Sequence, residues 1–220
     1  PLADAEGIGA VDDRARRGVA RVRVATVTLA SAARATHVGR QQDRLRSREP
    51  DVERVVVWLD PEPCAPGAFD AHLVHVPPAP DGLRLAAGRN AGVAAAIALG
   101  CDALILLDAD CVPGDALVAR YVAAMRARPE ALLSGPVTYL AEGVVVDAST
   151  DLAALTNPHA ARPAPAADAL VEAEEAQRVL FWSLSFACTA STWQRIGGFD
   201  EAYVGYGGED TDFAMRSAEA

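Results

Sequence analysis

The sequence predicts an α/β domain with a largely parallel sheet, on three observations. Short β-branched or apolar runs alternate with helix-forming stretches through the first half. One run, Ala103 to Leu107, is apolar throughout and ends on Asp108-Ala109-Asp110, as a buried central strand would. About half of the 220 residues are apolar, enough for one domain with a real core.

The elements follow in order. Residues 1–20 carry an Arg cluster (Arg14, Arg16, Arg17) without an apolar period and read as an N-terminal extension, with the domain itself over 21–220. Val22 to Leu29 is the first strand. Residues 34–48, rich in Arg and Gln, read as a surface helix. Val52 to Leu59 is the second strand, closed by Asp60 and stopped by Pro61, Pro63, Pro66 and Gly67. Leu73 to Val76 is a short third strand. Leu85 to Gly92 leads into a helix that runs to about Leu99, and Gly100 ends it.

Residues 115–128 form a helix with Asp115 near its start and Arg126 and Arg128 near its end, matching the helix dipole. Leu132 to Leu140 is a strand broken by Gly135-Pro136. Residues 147–167 read as a long loop and 168–179 as a Glu-rich helix. Eight of the twelve aromatic residues then fall between Phe181 and Phe213, with Gly197, Gly198, Gly205, Gly207 and Gly208 among them. Phe181, Phe186 and Phe199 suit the core. Trp182, Tyr203 and Tyr206 suit a sugar ring, whose C–H faces stack on aromatic rings.

Composition excludes several functions. All twenty basic residues are Arg, so a Walker-type phosphate loop and a Schiff-base lysine are absent. The net charge of −10 argues against a nucleic-acid or polybasic membrane-surface protein. Cys64, Cys101, Cys111 and Cys188 form no Cys-x-x-Cys pair and read as thiols in a reducing cytoplasm. His72 and His75 read as strand or loop residues. No secretory signal opens the chain, and no apolar run is long enough to span a bilayer.

Chemistry concentrates in two acidic clusters. In an extended chain Asp108 and Asp110 share a face, with Ala109 turned back. Paired carboxylates at a strand end repel each other, and a hard divalent cation such as Mg2+ or Mn2+ relieves that conflict. The second cluster is Gly207-Gly208-Glu209-Asp210 with Asp212. Acidic residues there suit a helix N-terminus, and a carboxylate so fixed can also act as a general base.

The ordered set of Thr28, Asp60, Arg89-Asn90-Ala91-Gly92, Leu107-Asp108-Ala109-Asp110 and Gly197-Gly198-Phe199-Asp200-Glu201 through Gly207-Gly208-Glu209-Asp210-Thr211-Asp212 resembles the family 2 glycosyltransferases. The final block also resembles the Gly-Gly-Glu-Asp region of the β-1,4-galactosyltransferases. The resemblance implies a GT-A fold, Rossmann-like, with a mixed and mainly parallel central sheet flanked by helices. It implies an inverting, metal-dependent transfer of a sugar from a nucleotide-diphosphate sugar, UDP-sugar first, to an acceptor hydroxyl of a saccharide. Thr28 and Asp60 would line the nucleobase pocket. Arg89 would lie near the ribose or phosphates, Asp108 near the ribose or donor sugar, and Asp110 on the Mn2+ or Mg2+. Glu209, Gly208 and Trp182 would face the acceptor, with Asp210 as the base.

Related enzymes carry a further metal ligand, often His, after the Glu-Asp helix. This chain ends at Ala220 with no His beyond His159, so the expectation is a truncated form. A haloacid-dehalogenase-type phosphatase would place Asp-x-Asp on the first strand and use a Lys. A sugar-nucleotide pyrophosphorylase would place a Gly-rich basic loop after that strand. The remaining alternative is a nucleotide- or carbohydrate-binding module that kept the fold without turnover.

Overall fold

The structure is a computed structural model that describes residues 22–147, 149–155, 157–160, 165–166 and 169–220. The extension expected over 1–20 lies outside them, as does part of the loop expected over 147–167.

Six strands form one sheet: β1 (Val24–Ala30), β2 (Glu53–Trp58), β3 (His72–His75), β4 (Ala103–Leu107), β5 (Leu133–Ser134) and β6 (Ser185–Thr189). Their order across the sheet is β3-β2-β1-β4-β6-β5. The first four are parallel, whereas β6 runs antiparallel to both β4 and β5. Among the described residues the α-helices are α1 (Ala35–Arg48), α2 (Leu85–Ala98), α3 (Leu117–Ala127), α4 (Ala190–Ile196) and α5 (Glu209–Glu219). The alternation predicts the α/β class and the largely parallel sheet, and the mixed sheet flanked by helices is what the family resemblance implies.

The period of two sorts side chains between the two sheet faces. Ala25, Val27, Val55, Val57, Leu104 and Leu106 pack with α2 and with the aromatic residues of the C-terminal third. Val24, Ala103, Ile105 and Leu107 pack with Val118, Tyr121 and Met125 of α3. Ala30, Val56 and Trp58 enclose Val38 of α1. All five residues of β4 are buried, because both of its faces are covered.

Several elements depart from the sequence reading. α1 is a surface helix whose buried face is unexpectedly polar: Gln41, Gln42 and Arg44 are buried beside Val38 and Leu45. Arg44 is 1% exposed because every end of its guanidinium is used, on the Pro113, Asp147 and Thr150 carbonyls and the Asp115 carboxylate. Arg89 to Gly92 lies inside α2 rather than before it. The strand expected over Leu132 to Leu140 is only two residues long, since Pro136 has no N–H to continue a ladder. The helix expected over 168–179 is a 3-10 turn at Glu175–Leu180; residues 169–174 have no helix. Glu174 and Gln177 close a capping box at the start of that turn. β6 and α4, unassigned in the sequence reading, fill the aromatic stretch.

Candidate active site

β4 delivers the first acidic cluster to the carboxyl edge of the sheet, where open α/β sheets bind their ligands. The strand ends in a turn, with the Cys111 N–H donating to the Asp108 carbonyl at 3.0 Å. The two carboxylates take different arginine partners. Asp108 faces α2, with Oδ1 3.7 Å from Arg89 Nη2. Asp110 is half exposed, with Oδ2 3.4 Å from Nη1 of Arg34.

α5 delivers the second cluster. Its first turn carries Glu209, Asp210 and Asp212, which complement the dipole, as the helix-start reading of this block expects. Gly208 precedes it at φ 90°, in the left-handed region that glycine adopts without strain. A Cβ on Gly208 would meet the Tyr203 ring at 2.9 Å.

Arg89 joins the two clusters. Its Nη1 lies 3.1 Å from Glu209 Oε1 and 3.7 Å from Asp210 Oδ1. Its guanidinium also stands 5.1 Å from the centre of the Phe199 ring. Arg89 and Glu209 are both buried. One cation thus faces three carboxylates, an excess of negative charge. Burial, opposed by Arg89 and reinforced by Asp110, Asp210 and Glu209, pushes the Asp108 carboxyl up to about 6. At neutral pH Asp108 is still mostly ionised.

Asp210 is held at one oxygen: Ser183 N–H donates to its Oδ2 at 3.0 Å. Oδ1 is buried and accepts no hydrogen bond among the described residues. The next residue back from Ser183 is Trp182, whose ring meets His159 edge-on at 5.0 Å, and His159 in turn lies 5.6 Å from Tyr139. Aromatic side chains from the 137–160 segment therefore stand beside Trp182. Tyr203 is 38% and Tyr206 97% exposed, while Phe181, Phe186 and Phe199 are buried.

The donor-side candidates are placed differently. Asp60 accepts from the Ala32 N–H at 2.7 Å and so ties the end of β2 to the turn after β1. Thr28 is fully buried, and its hydroxyl donates to Gln41 Oε1 at 2.7 Å. Arg89, Asp108, Glu209 and Asp210 are thus brought together, with Trp182 and Gly208 adjoining Asp210 in sequence or through Ser183. Asp110 pairs with Arg34, and Thr28 with Gln41. The sequence reading missed Arg34, Gln41 and Ser183. A buried Gln and a backbone N–H carry no signal in residue type alone.

The carboxylate oxygens of Asp110 are hard donors at a strand terminus, and the site has negative charge to offset, so the residue chemistry fits a Mg2+ or Mn2+ ion. Among the described residues no group of three or more His, Cys, Asp or Glu side chains could hold a metal unaided. The remaining positions would fall to water and phosphate oxygens, the usual arrangement for Mg2+.

Residues 179–220 match the family model described as the N-terminal domain of galactosyltransferase. No curated protein sequence matches the chain. Among solved structures, it is similar to the mannosyltransferase PcManGT from Pyrobaculum calidifontis, in complex with GDP-Man and Mn2+, at TM-score 0.57 and 16% identity over 91% of this chain and 53% of that one. It is similar to S. aureus TarS at TM-score 0.59 and 11% identity, over 89% of this chain and 33% of TarS. For the 1–349 form of TarS the values are 0.56, 12%, 89% and 55%. The chain spans about half the length of PcManGT and of the shorter TarS form, and a third of the longer one. With the observed sheet order, these likenesses show that the chain has the GT-A fold.

Proposed function

We propose that this domain transfers a sugar from a nucleotide-diphosphate sugar to an acceptor hydroxyl, with inversion at the anomeric carbon. The observation that carries the reading is the anchored carboxylate of Asp210. Oδ2 is fixed by Ser183 N–H while the side chain keeps 24% of its surface exposed, in a cluster bridged to the Asp108 strand end by Arg89. The likeness to a mannosyltransferase bound to GDP-Man and Mn2+ supports the same chemistry.

Asp210 accepts the proton of the acceptor hydroxyl as its oxygen forms a bond to the anomeric carbon. The bond from that carbon to the diphosphate oxygen breaks on the opposite face, and the electron pair leaves with the nucleoside diphosphate. Gly208 and Trp182 line the acceptor side, and Glu209 supports it by holding Arg89. Asp60 accepts from the nucleobase, and Asp108 faces the ribose or donor sugar. Thr28 supports the donor side through Gln41.

Arg89 already faces three carboxylates, so it has little charge left for a diphosphate, and this favours a cation-dependent donor site. Asp110 would hold the Mn2+ or Mg2+, with Asp108 close by. When bound, such an ion supplies charge neutralisation for the departing diphosphate. The partners are then a nucleotide sugar, UDP-sugar first, and a saccharide or other hydroxyl acceptor. A family 2 assignment and a reducing, cytoplasmic setting complete the reading. The buried thiols of Cys101 and Cys188 support that setting, as does the lack of a disulfide among the described residues. No described helix is long and apolar enough to cross a membrane.

Calorimetric titration of UDP and GDP, with Mn2+ and again with chelator, tests the donor site. Binding of one nucleotide that needs Mn2+ and is lost in Asp110→Ala is the expected result. In a transfer assay with the matching donor sugars, Asp210→Asn should retain nucleotide binding and lose about 10²- to 10⁴-fold in turnover. Near-normal turnover in Asp210→Asn would remove Asp210 as the base.

A further inference from the structure

The turn that carries Asp108 and Asp110 is gripped from behind by a single side chain. Gln41 of α1 is fully buried. Its Nε2 donates to the Asp108 carbonyl and to the Cys111 carbonyl, each at 2.8 Å. These carbonyls bracket the turn, and the Asp108 carbonyl also accepts the Cys111 N–H that closes it. On the other side of the amide, Oε1 accepts from Thr28 Oγ1 at 2.7 Å and from Gln42 Nε2 at 3.1 Å. Both donor hydrogens and both lone pairs of the amide are therefore occupied. A flipped amide would set oxygen against two carbonyls, so the orientation is unique.

The placement is specific to the acidic turn. Gln41 reaches across from α1 to residues 67 and 70 positions later. Burying an amide is costly unless every polar atom is paired, and a leucine of similar size would fill the same space without that demand. A buried glutamine whose whole capacity is directed at one turn and its supports is suited to fixing backbone geometry. Asp110 occupies the third position of that turn, so its direction follows from the backbone that Gln41 holds.

We propose that Gln41 is a positioning residue, whose side-chain amide locks the Asp108–Cys111 turn so that Asp110 meets the donor. The proposal rests on the glycosyl-donor reading for its ligand, but not for the turn itself. Thr28 belongs to the same device: its hydroxyl orients the amide and never needs to touch the nucleotide.

The test is Gln41→Met, which keeps volume and removes the amide, read in two ways. Amide hydrogen exchange at Cys111 should accelerate about tenfold, the loss of one or two hydrogen bonds, while the amides of Leu104 to Leu106 keep their protection. The Mn2+ concentration needed for half-saturation at fixed UDP or GDP should rise by a similar factor. Loss of packing alone would lower the melting temperature without shifting the Mn2+ midpoint. Unchanged exchange at Cys111 in folded Gln41→Met overturns the proposal, and so does faster exchange with an unchanged Mn2+ midpoint. Should that variant fail to fold, Thr28→Val decides. It should raise Cys111 exchange about threefold, and wild-type exchange would overturn the proposal. If the wild-type protein binds neither nucleotide, the donor reading fails, and the role of Gln41 stands or falls on Cys111 exchange alone.

Discussion

Arg89 is the residue on which the site's electrostatics turn. It is buried beside an equally buried Glu209, with Asp108 and Asp210 within 3.7 Å. Removing it strands Glu209, whose side chain is 5% exposed, and takes the counter-charge from Asp108 and Asp210. Arg89→Met should therefore destabilise the fold by about 3–5 kcal/mol, measured by urea unfolding at pH 7. Adding Glu209→Gln should recover part of that loss, because the most buried of the stranded charges is then gone. Equal stability of Arg89→Met and wild type would show that the carboxylates find water instead. Cys188, on β6 between β4 and β5, is the opposite case, a group kept neutral by burial. Desolvation pushes its thiol up to about 12, against a slight lowering by the Trp193 N–H. A raised thiol value means that its contribution to stability is intact below the unfolded value of about 9 and is lost as pH rises toward 12. Folded protein at pH 8 should leave Cys188 unalkylated by iodoacetamide, with labelling appearing only after unfolding.

At the scale of elements, α2 shows why a motif can mislead about what its residues do. Gly88 and Gly92 lie four apart on one helix face, against β1 and β2. A Cβ on Gly92 would sit 2.4 Å from Val27 Cγ1 and 2.7 Å from Val57 Cγ2. Gly92→Ala should therefore push the helix from the sheet and cost about 1–3 kcal/mol by thermal or urea unfolding, despite alanine's better helix propensity. Asn90 of the same helix clasps the loop before α5. Its amide donates to the Phe199 carbonyl and to Glu201, and its Oδ1 accepts the Phe199 N–H at 2.9 Å. In Arg89-Asn90-Ala91-Gly92 the arginine faces the site, the asparagine ties two segments, and the glycine allows close packing. The elements themselves were legible where one signal dominated. β4 is a continuous apolar run, and both of its faces are buried. α1 was legible as a helix but its polar buried face was not, because Gln41 and Arg44 are satisfied by hydrogen bonds to residues more than sixty positions away. β6 was hidden because Ser185-Phe186-Ala187-Cys188-Thr189 sits within an aromatic-rich stretch that masks the strand. Acidic clusters were visible in the sequence as carboxylates; the cation that joins them needed the fold.

Across the whole molecule the governing quantity is the charge of −10 on 220 residues, set against a ligand that is itself an anion. The local geometry moderates this conflict without removing it. Arg34 stands beside Asp110, and Arg89 is surrounded by carboxylates. At 0.01 M ionic strength the Debye length is about 30 Å, so an approaching nucleotide feels most of the chain's negative field; at 0.1 M it is about 10 Å, and only nearby groups count. Stopped-flow association of the nucleotide in the presence of Mn2+ should therefore speed up as salt rises from 0.01 to 0.1 M. A basic nucleotide-binding protein would show the reverse, since salt would weaken the attraction that steers its ligand. Slower association with added salt would mean that Arg34 and its neighbours dominate the approach, and that the net charge of the chain is remote from the entrance. The same comparison made on Arg34→Gln separates the two fields. If the global charge governs encounter, the variant keeps the sign of the salt response and lowers the rate at every ionic strength.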